Sequence, residues 1–198
     1  MTDQLTYIQK KGPEIGSVVD DLSQLRIAVF HDYPYLYEGT LEYEKNYLKT
    51  YIQAEQAFLF AVYDGAKMVG ATTCIPLKDE TAEVQKPFVE ASLQVDSVFY
   101  FGESILLPEY RGLGLGHRFF DERENHARNL GHYTSCCFCS VDRGDNHCLK
   151  PAGYRPNDAF WLKRGYKKDP TLQTIMEWPD IGEVEPTSKN MIFWTKSI

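Results

Sequence analysis

The 198-residue chain contains no long hydrophobic run. No stretch approaches the ~20 consecutive apolar residues that a membrane-spanning helix needs, and the mean hydropathy is −0.40. The opening segment, residues 1–16, has an early acidic residue and no apolar centre of the kind found in secretory signals. We therefore expect a cytoplasmic protein that has no membrane partner.

The chain also lacks a surplus of positive charge. It has 21 Lys and Arg against 28 Asp and Glu, which gives a formal net charge of −7. A protein that binds nucleic acid needs a basic face to neutralise phosphates, so we expect no nucleic-acid partner. A small anion site built from backbone N–H groups carries no net charge and stays compatible with this composition.

Cysteine is sparse and odd in number, with five residues in total. Free thiols in a reducing compartment are the simplest interpretation. Cys136 and Cys139 have the C-x-x-C spacing, but they fall in a predicted strand, which places them on opposite faces. A zinc site needs both sulfurs to face one ion, so we predict buried structural cysteines and no metal.

Repeats, low-complexity tracts and Gly/Ser-rich linkers are absent as well, and the length predicts a single domain over residues 1–198. Helical spacing of apolar residues predicts helices over 17–30, 41–52, 115–130 and 159–164. Apolar runs bounded by turn residues predict strands over 57–63, 68–77, 98–107, 132–141, 175–178 and 191–196. Residues 78–92 indicate a short helix or an irregular excursion. This order is typical of a mixed α/β sheet with helices on its faces.

The most informative segment is LLPEYRGLGLGHRFF, residues 106–120. A predicted strand ends at Pro108, and Arg111, Gly112, Gly114 and Gly116 precede a predicted helix. Glycine allows positive φ and a close approach of the backbone to a ligand. The free N–H groups and the dipole at the start of the helix favour an anion, so the segment predicts a phosphate or pyrophosphate site.

The spacing of the glycines excludes two common phosphate loops. A dinucleotide-binding G-x-G-x-x-G loop counted from Gly112 needs glycine where His117 stands. The G-K-[ST] ending of a P-loop is absent too. The pattern that fits is R-x-x-G-x-G, formed by Arg111, Gly114 and Gly116.

This segment resembles the acetyl-CoA pyrophosphate loop of the GNAT superfamily of N-acetyltransferases. FWLKRGYKK, residues 160–168, is similar to that superfamily's late helix and Gly-aromatic turn. The element order is similar from residue 17 to the end of the chain. The resemblance implies a central, mostly antiparallel mixed sheet of about seven strands, flanked by helices, with its fourth and fifth strands splayed apart.

The resemblance also implies acetyl-CoA as the co-substrate and assigns residues to it. The backbone of Ile105, Leu106 and Leu107 would pair with the pantetheine arm like an added strand, and an N–H near Leu106 would polarise the thioester carbonyl. The backbone amides that would hold the pyrophosphate belong to Gly112, Leu113, Gly114, Leu115 and Gly116. Arg111 and His117 would lie beside the phosphates, and Arg111 would also structure the loop.

The implied reaction is direct attack of a neutral primary amine, on a small molecule or a peptide, in a ternary complex. An alkyl ammonium must first lose a proton, and Glu103 is the predicted base, directly or through one water. Successive side chains of a strand point to opposite faces of the sheet, so an outward orientation of Glu103 stays open as the alternative. The loop acids Asp32, Glu38 and Glu42 could attract a cationic acceptor.

One position departs from the superfamily's pattern. Relatives often carry a tyrosine that protonates the leaving thiolate, and Trp161 stands at the matching position. We take Tyr154 as the substitute, with Tyr166 as the alternative, although a thiolate can also leave unaided. Because this tyrosine is missing, a non-catalytic module that binds or senses acyl-CoA stays open as an alternative function. Transfer of a longer acyl group, or transfer to a hydroxyl acceptor, stays open as well. Many members of the superfamily are dimers, so the resemblance leaves a homodimer open as an alternative to a monomer.

Overall fold

The computed structural model describes residues 5–198, and residues 1–4, the first part of the segment judged to lack a secretory signal, lie outside it. A single sheet of seven strands has the order β1-β2-β3-β4-β5-β7-β6. The strands are β1 Leu5–Lys11, β2 Phe58–Asp64, β3 Lys67–Pro76, β4 Val98–Leu106, β5 Ser135–Val141, β6 Lys167–Trp178 and β7 Thr187–Ser197. The helices are α1 Val19–Phe30, α2 Leu41–Tyr47, α3 Lys49–Gln53, α4 Ala82–Glu90, α5 Leu115–Asn129 and α6 Asp158–Lys163.

The predicted mixed α/β architecture is confirmed, including the separation of the fourth and fifth strands. Neighbouring strands are antiparallel except for β4 and β5, which are parallel. Only residues 98–100 of β4 pair with residues 135–137 of β5, although both strands continue further. The two strands therefore part after their third pair and leave an open slot in the middle of the sheet.

Several element boundaries differ from the sequence prediction. The strand β1 was not predicted, because its residues are mostly exposed or half-buried and show no apolar run. The helix predicted over 41–52 is two helices that meet at Leu48. The strand predicted over 175–178 is the end of the longer β6, whose first residues are largely exposed and polar. Residues 78–92 contain the regular helix α4.

Aromatic side chains build the core on both faces of the sheet. On one face, Phe101 of β4 packs against Phe120 of α5, with ring centroids 6.2 Å apart. On the other face, Phe193 of β7 packs edge-on against Phe88 of α4 at 5.0 Å. Burial of such large apolar surfaces is the main favourable term in folding, and here it fixes α5 and α4 on opposite sides of the slot.

A β-bulge interrupts β4 where the slot opens. Thr72 pairs with Ser104 and Cys74 pairs with Phe101, so Gly102 and Glu103 together lie opposite Thr73. An extra residue of this kind redirects side chains and is frequent beside active sites. As a result, Gly102 and Glu103 both contact the helices on the α1 side of the sheet.

Glycine is required at position 102 because another group occupies the space of a side chain. A Cβ atom there would lie 2.1 Å from the Tyr51 hydroxyl oxygen and 2.7 Å from Thr73 Oγ1. Tyr51 is completely buried in α3 and has no room to retreat. The sheet backbone and this hydroxyl are therefore in direct contact at the bulge.

The cysteines of β5 are packing residues. Cys136, Cys137 and Cys139 are buried free thiols, and burial raises the pKa of Cys136 and of Cys139 to about 12. Among residues 5–198, no group of three or more His, Cys, Asp or Glu is placed to hold a metal ion. No helix in the same range has the length and hydrophobicity needed to cross a membrane.

Candidate active site

The glycine-rich loop after β4 presents unpaired backbone donors. Gly112 and Gly114 both have φ +81°, and Gly114 is the N-cap of the 15-residue helix α5 without a capping side chain. Within the described chain, the N–H groups of residues 112–116 form no hydrogen bond. A Cβ at Gly112 or Gly114 would meet no neighbouring atom, so the loop is open to a ligand.

These donors fit a diphosphate. The start of α5 adds its helix dipole to the free N–H groups, and both favour negative charge. Arg111 donates from Nε to the carbonyl oxygen of Leu106 at 3.3 Å, which ties the loop to the end of β4. His117 is exposed in the first turn of α5, whereas Arg118 stacks over the Tyr7 ring at 3.9 Å and faces β1.

The slot between β4 and β5 leads away from this loop as a cavity of about 420 Å³. The N–H of Leu107 donates to the carbonyl oxygen of Val69 in β3 at 3.0 Å. Because N–H groups alternate along a strand, the N–H and C=O of Leu106 face the slot. By the same alternation the N–H and C=O of Ile105 point to β3, as those of Leu107 do, and the Ile105 side chain is buried in the core, so of the three predicted residues Leu106 is the one whose backbone faces the slot. A linear amide chain could therefore pair with this edge.

Glu103 lies in a buried charge cluster. The guanidinium of Arg26 in α1 donates to Glu103 from one nitrogen and to Glu44 of α2 from another. The Glu103 side chain is 1% exposed and the Glu44 side chain is fully buried. Two carboxyl groups thus share one guanidinium beside the bulge. Glu103 therefore faces inward and does not point to solvent.

Burial raises the pKa of Glu103, and the positive charge of Arg26 opposes part of that rise. The same bulge is held from the other face of the sheet. The carbonyl oxygen of Glu103 accepts hydrogen bonds from Thr72 Oγ1 at 2.7 Å and from a guanidinium nitrogen of Arg123 at 3.2 Å. The carboxylate is therefore held in place by both its backbone and its ion pair.

A second cavity of about 540 Å³ opens on the helical side of the bulge. It is lined by aromatic rings and carboxylates, which include Tyr35, Tyr37, Tyr43, Tyr47, Tyr100, Trp178, Glu44, Glu83 and Glu177. Phe30, Tyr35, Gly102 and Cys139 border both this cavity and the slot. The two cavities therefore adjoin at the bulge, where Glu103 lines the slot and its partners Arg26 and Glu44 line the second cavity.

The structure separates the two tyrosines considered as general acids. Tyr154 borders the slot, its ring lies 4.7 Å from that of Tyr33, and burial raises its pKa. Tyr166 is buried and donates its hydroxyl to Glu124 at 3.1 Å. Trp161 packs against Phe138 at 5.0 Å. Tyr154 is thus the tyrosine of the two that reaches the slot.

The three loop acids lie away from both cavities, and two members of the charge cluster were not predicted. Asp32, Glu38 and Glu42 are exposed and line neither cavity. Arg26 and Glu44 were not predicted. Arg26 falls one helical turn after Leu22, on the apolar side of α1, and a charge in that stripe was the available signal.

Comparison with known proteins agrees with this architecture. Residues 20–154 match the family model of the acetyltransferase (GNAT) family. The chain belongs to this family and is an acetyltransferase. No curated protein gives a significant sequence match to the chain.

Solved structures share the fold at low sequence identity. The ribosomal-protein-alanine N-acetyltransferase from Brucella melitensis is 12% identical with a TM-score of 0.61, over 96% of this chain and 99% of that one. NAA60 of Arabidopsis thaliana, solved with a bisubstrate analogue, is 11% identical with a TM-score of 0.60, over 98% of each chain. An N-acetyltransferase from Staphylococcus aureus Mu50 is 9% identical with a TM-score of 0.59, over 97% and 98%. These likenesses concern the fold.

Proposed function

We propose that the protein transfers the acetyl group of acetyl-CoA to a primary amine, by direct attack of the amine in a ternary complex. The observation that carries this proposal is that two cavities adjoin at the bulge that carries Glu103. The slot, which Glu103 lines, runs there from the open amides of residues 112–116, and the tyrosine-rich cavity borders the same bulge at Gly102 from the other side. A donor and an acceptor can therefore approach one another from opposite directions.

The donor side is assigned to the slot. The amides of residues 112–116 hold the pyrophosphate, Arg111 and His117 flank it, and the exposed edge of β4 pairs with the pantetheine arm at Leu106. Bound acetyl-CoA supplies the activated acetyl group. The N–H of Leu106 faces the slot and stabilises negative charge that develops on the carbonyl oxygen.

The acceptor side is assigned to the second cavity. Aromatic faces and carboxylates both attract a cationic ammonium group. Its volume of about 540 Å³ is in the range that holds a small organic molecule. The exposed carboxylates of Glu83 and Glu177 at its border add negative charge. We therefore assign a small amine to this cavity.

Glu103 and Tyr154 are assigned the proton transfers. Glu103 takes one proton from the ammonium group, directly or through one water, and frees the nitrogen lone pair. The nitrogen then bonds to the acetyl carbon while the carbon–sulfur bond breaks. Tyr154 or water gives one proton to the sulfur, and the second proton of the nitrogen, which leaves through water as the amide forms, replaces it. Overall, one proton is released.

A thiol-release assay with acetyl-CoA and a panel of amines tests the proposal. We expect at least one polyamine, amino acid, aminoglycoside, small aliphatic or aromatic amine, or peptide to give amine-dependent release of CoA. Acetyl-CoA should be preferred over longer acyl-CoAs in competition. Binding of acetyl-CoA without release for any amine would instead support the sensing module.

The loop assignment predicts a loss of donor binding in Gly114→Val. Gly114 has φ +81°, which is costly for a β-branched residue, and the new side chain would disturb the donors of the loop. We expect the Kd of acetyl-CoA to rise by about tenfold or more, equivalent to at least ~1.4 kcal/mol. Isothermal titration calorimetry measures it.

The matched control is Gly131→Val in the turn after α5. Gly131 has φ +79° and open space around it, so the variant carries a similar backbone strain at the opposite end of the 15-residue helix from the loop. The control should bind acetyl-CoA normally. Equal affinities in Gly114→Val and wild-type protein would contradict the loop assignment.

A further inference from the structure

A hydrogen-bonded relay of hydroxyl and carboxylate groups crosses the structure beside the candidate active site. The hydroxyl oxygens of Tyr47 in α2 and Tyr51 in α3 are 3.3 Å apart. Tyr51 donates to Glu80 Oε1 at 2.7 Å, and Glu80 Oε2 accepts the N–H of Thr81 at 2.8 Å. Each side chain is thus within hydrogen-bond distance of the next.

The two ends of this relay lie at different openings, one at a cavity and the other at a surface groove. Tyr47 lines the tyrosine-rich cavity, and its ring lies 4.5 Å from the guanidinium carbon of Arg26, which also holds Glu103. Glu80 lines a separate groove on the outer surface, together with Gln53, Lys78 and Asp79. The middle member, Tyr51, is fully buried. The relay therefore connects the tyrosine-rich cavity to solvent without passing through the opening of either substrate cavity.

The proposed reaction needs such a connection. The acetylation of an ammonium group releases one proton, and Glu103, which receives it, is almost fully buried. With both substrates in place, their bodies close the openings of the slot and of the tyrosine-rich cavity to solvent. Glu103 must nevertheless be deprotonated again before the next turnover.

We propose that Tyr47, Tyr51 and Glu80 form the exit route for this proton, an inference that rests on the proposed function. A water in the cavity takes the proton from Glu103 and gives one to the Tyr47 hydroxyl oxygen. Tyr47 passes its own proton to Tyr51, and Tyr51 passes its own to the Glu80 carboxylate. Glu80 then gives the proton to water in the outer groove, and all three side chains regain their starting protonation.

The environment of the three groups suits this transfer. Burial raises the pKa of Tyr47 and of Tyr51 well above the ordinary value, so both remain phenols that accept and donate at once. Burial also raises the pKa of Glu80, while its hydrogen bonds from Tyr51 and Thr81 oppose that rise. Glu80 therefore holds a proton more readily than an exposed glutamate does, yet it lies at the surface groove that can remove it.

The test interrupts the route with two variants that keep the side-chain shapes, Tyr51→Phe and Glu80→Gln. The matched control is Tyr63→Phe, since the Tyr63 hydroxyl donates to Asp21 at 2.9 Å as an equivalent tyrosine–carboxylate pair remote from both cavities. Steady-state thiol release is measured at saturating acetyl-CoA, with the best amine of the panel, at increasing concentrations of imidazole buffer.

Both route variants should lower kcat by about tenfold to a hundredfold, with the KM of the amine within about twofold of wild type. Their kcat should recover as imidazole rises, because a small base can replace the lost exit, whereas wild type and Tyr63→Phe should be insensitive to it. An unchanged kcat in both variants, or a loss that imidazole does not restore, would overturn the route. A wild-type protein that releases no thiol with any amine would overturn the proposed function, and the route with it.

Discussion

Glu103→Gln is expected to lower kcat for amine acetylation by about 10²- to 10⁴-fold, the usual contribution of a positioned base. The glutamine side chain keeps the shape and still accepts a hydrogen bond from Arg26, but it cannot take a proton. Binding of acetyl-CoA should stay within about twofold of wild type, because the loop at residues 112–116 is untouched. The loss should therefore appear in kcat and leave the Kd of acetyl-CoA unchanged.

Glu42→Gln is the control for this variant. Glu42 lies in α2, as Glu44 does, but it is exposed and lines neither cavity. The control should retain wild-type kcat. Thiol release that persists at the wild-type rate in Glu103→Gln would show that another group serves as the base.

The pH dependence of kcat gives an independent check. The base must be ionised to accept a proton, so kcat should rise with pH as Glu103 deprotonates. Burial raises the pKa of Glu103, so this rise should lie above the pH at which an exposed glutamate titrates. The rising limb should be missing from the profile of Glu103→Gln, measured with an amine whose own ionisation is known.

The shape of the glycine-rich loop was predictable because its information is local. Gly112 and Gly114 adopt positive φ in the structure, and α5 begins at Leu115, as the sequence indicates. Glycine spacing next to a helix start determines the backbone shape without help from distant residues. For the same reason, the departure at Trp161 could be recognised without a structure.

The bulge and the charge cluster depend on residues far apart in the chain. Whether Glu103 faces inward depends on two residues, Gly102 and Glu103, lying opposite Thr73 in β3, and strand alternation alone does not show this register. Arg26, Glu44 and Glu103 come together only because α1 and α2 pack over β4. Similarly, the burial of Tyr166 against Glu124 could not be seen from its place after Gly165.

Arg26→Met is expected to lower the free energy of unfolding by about 3–5 kcal/mol, because it leaves two buried acidic side chains without their shared partner. Arg26 is the shared partner of the buried carboxylates of Glu44 and Glu103, and methionine fills a similar volume without compensating either charge. Urea unfolding monitored by circular dichroism measures the change. Arg118→Met, at an arginine whose side chain is 43% exposed, should cost less than about 1 kcal/mol.

The loss should shrink as the pH falls. Without Arg26, only the weaker attraction of Arg123 offsets the burial of Glu103, so the folded-state pKa of Glu103 lies further above the unfolded value than in wild type. An acid with a raised folded-state pKa costs stability in full above that pKa, and the cost shrinks as the pH falls from it to the unfolded-state value, below which the group is protonated in both states. The stability gap between wild type and Arg26→Met should therefore be narrower at about pH 5 than at about pH 7.

Adding Glu44→Gln to Arg26→Met should recover part of the gap at the higher pH, because one uncompensated charge is removed. A gap that is independent of pH, and unaffected by Glu44→Gln, would mean that Arg26 stabilises the protein through its packing on Phe30 and Tyr47 and not through its charge.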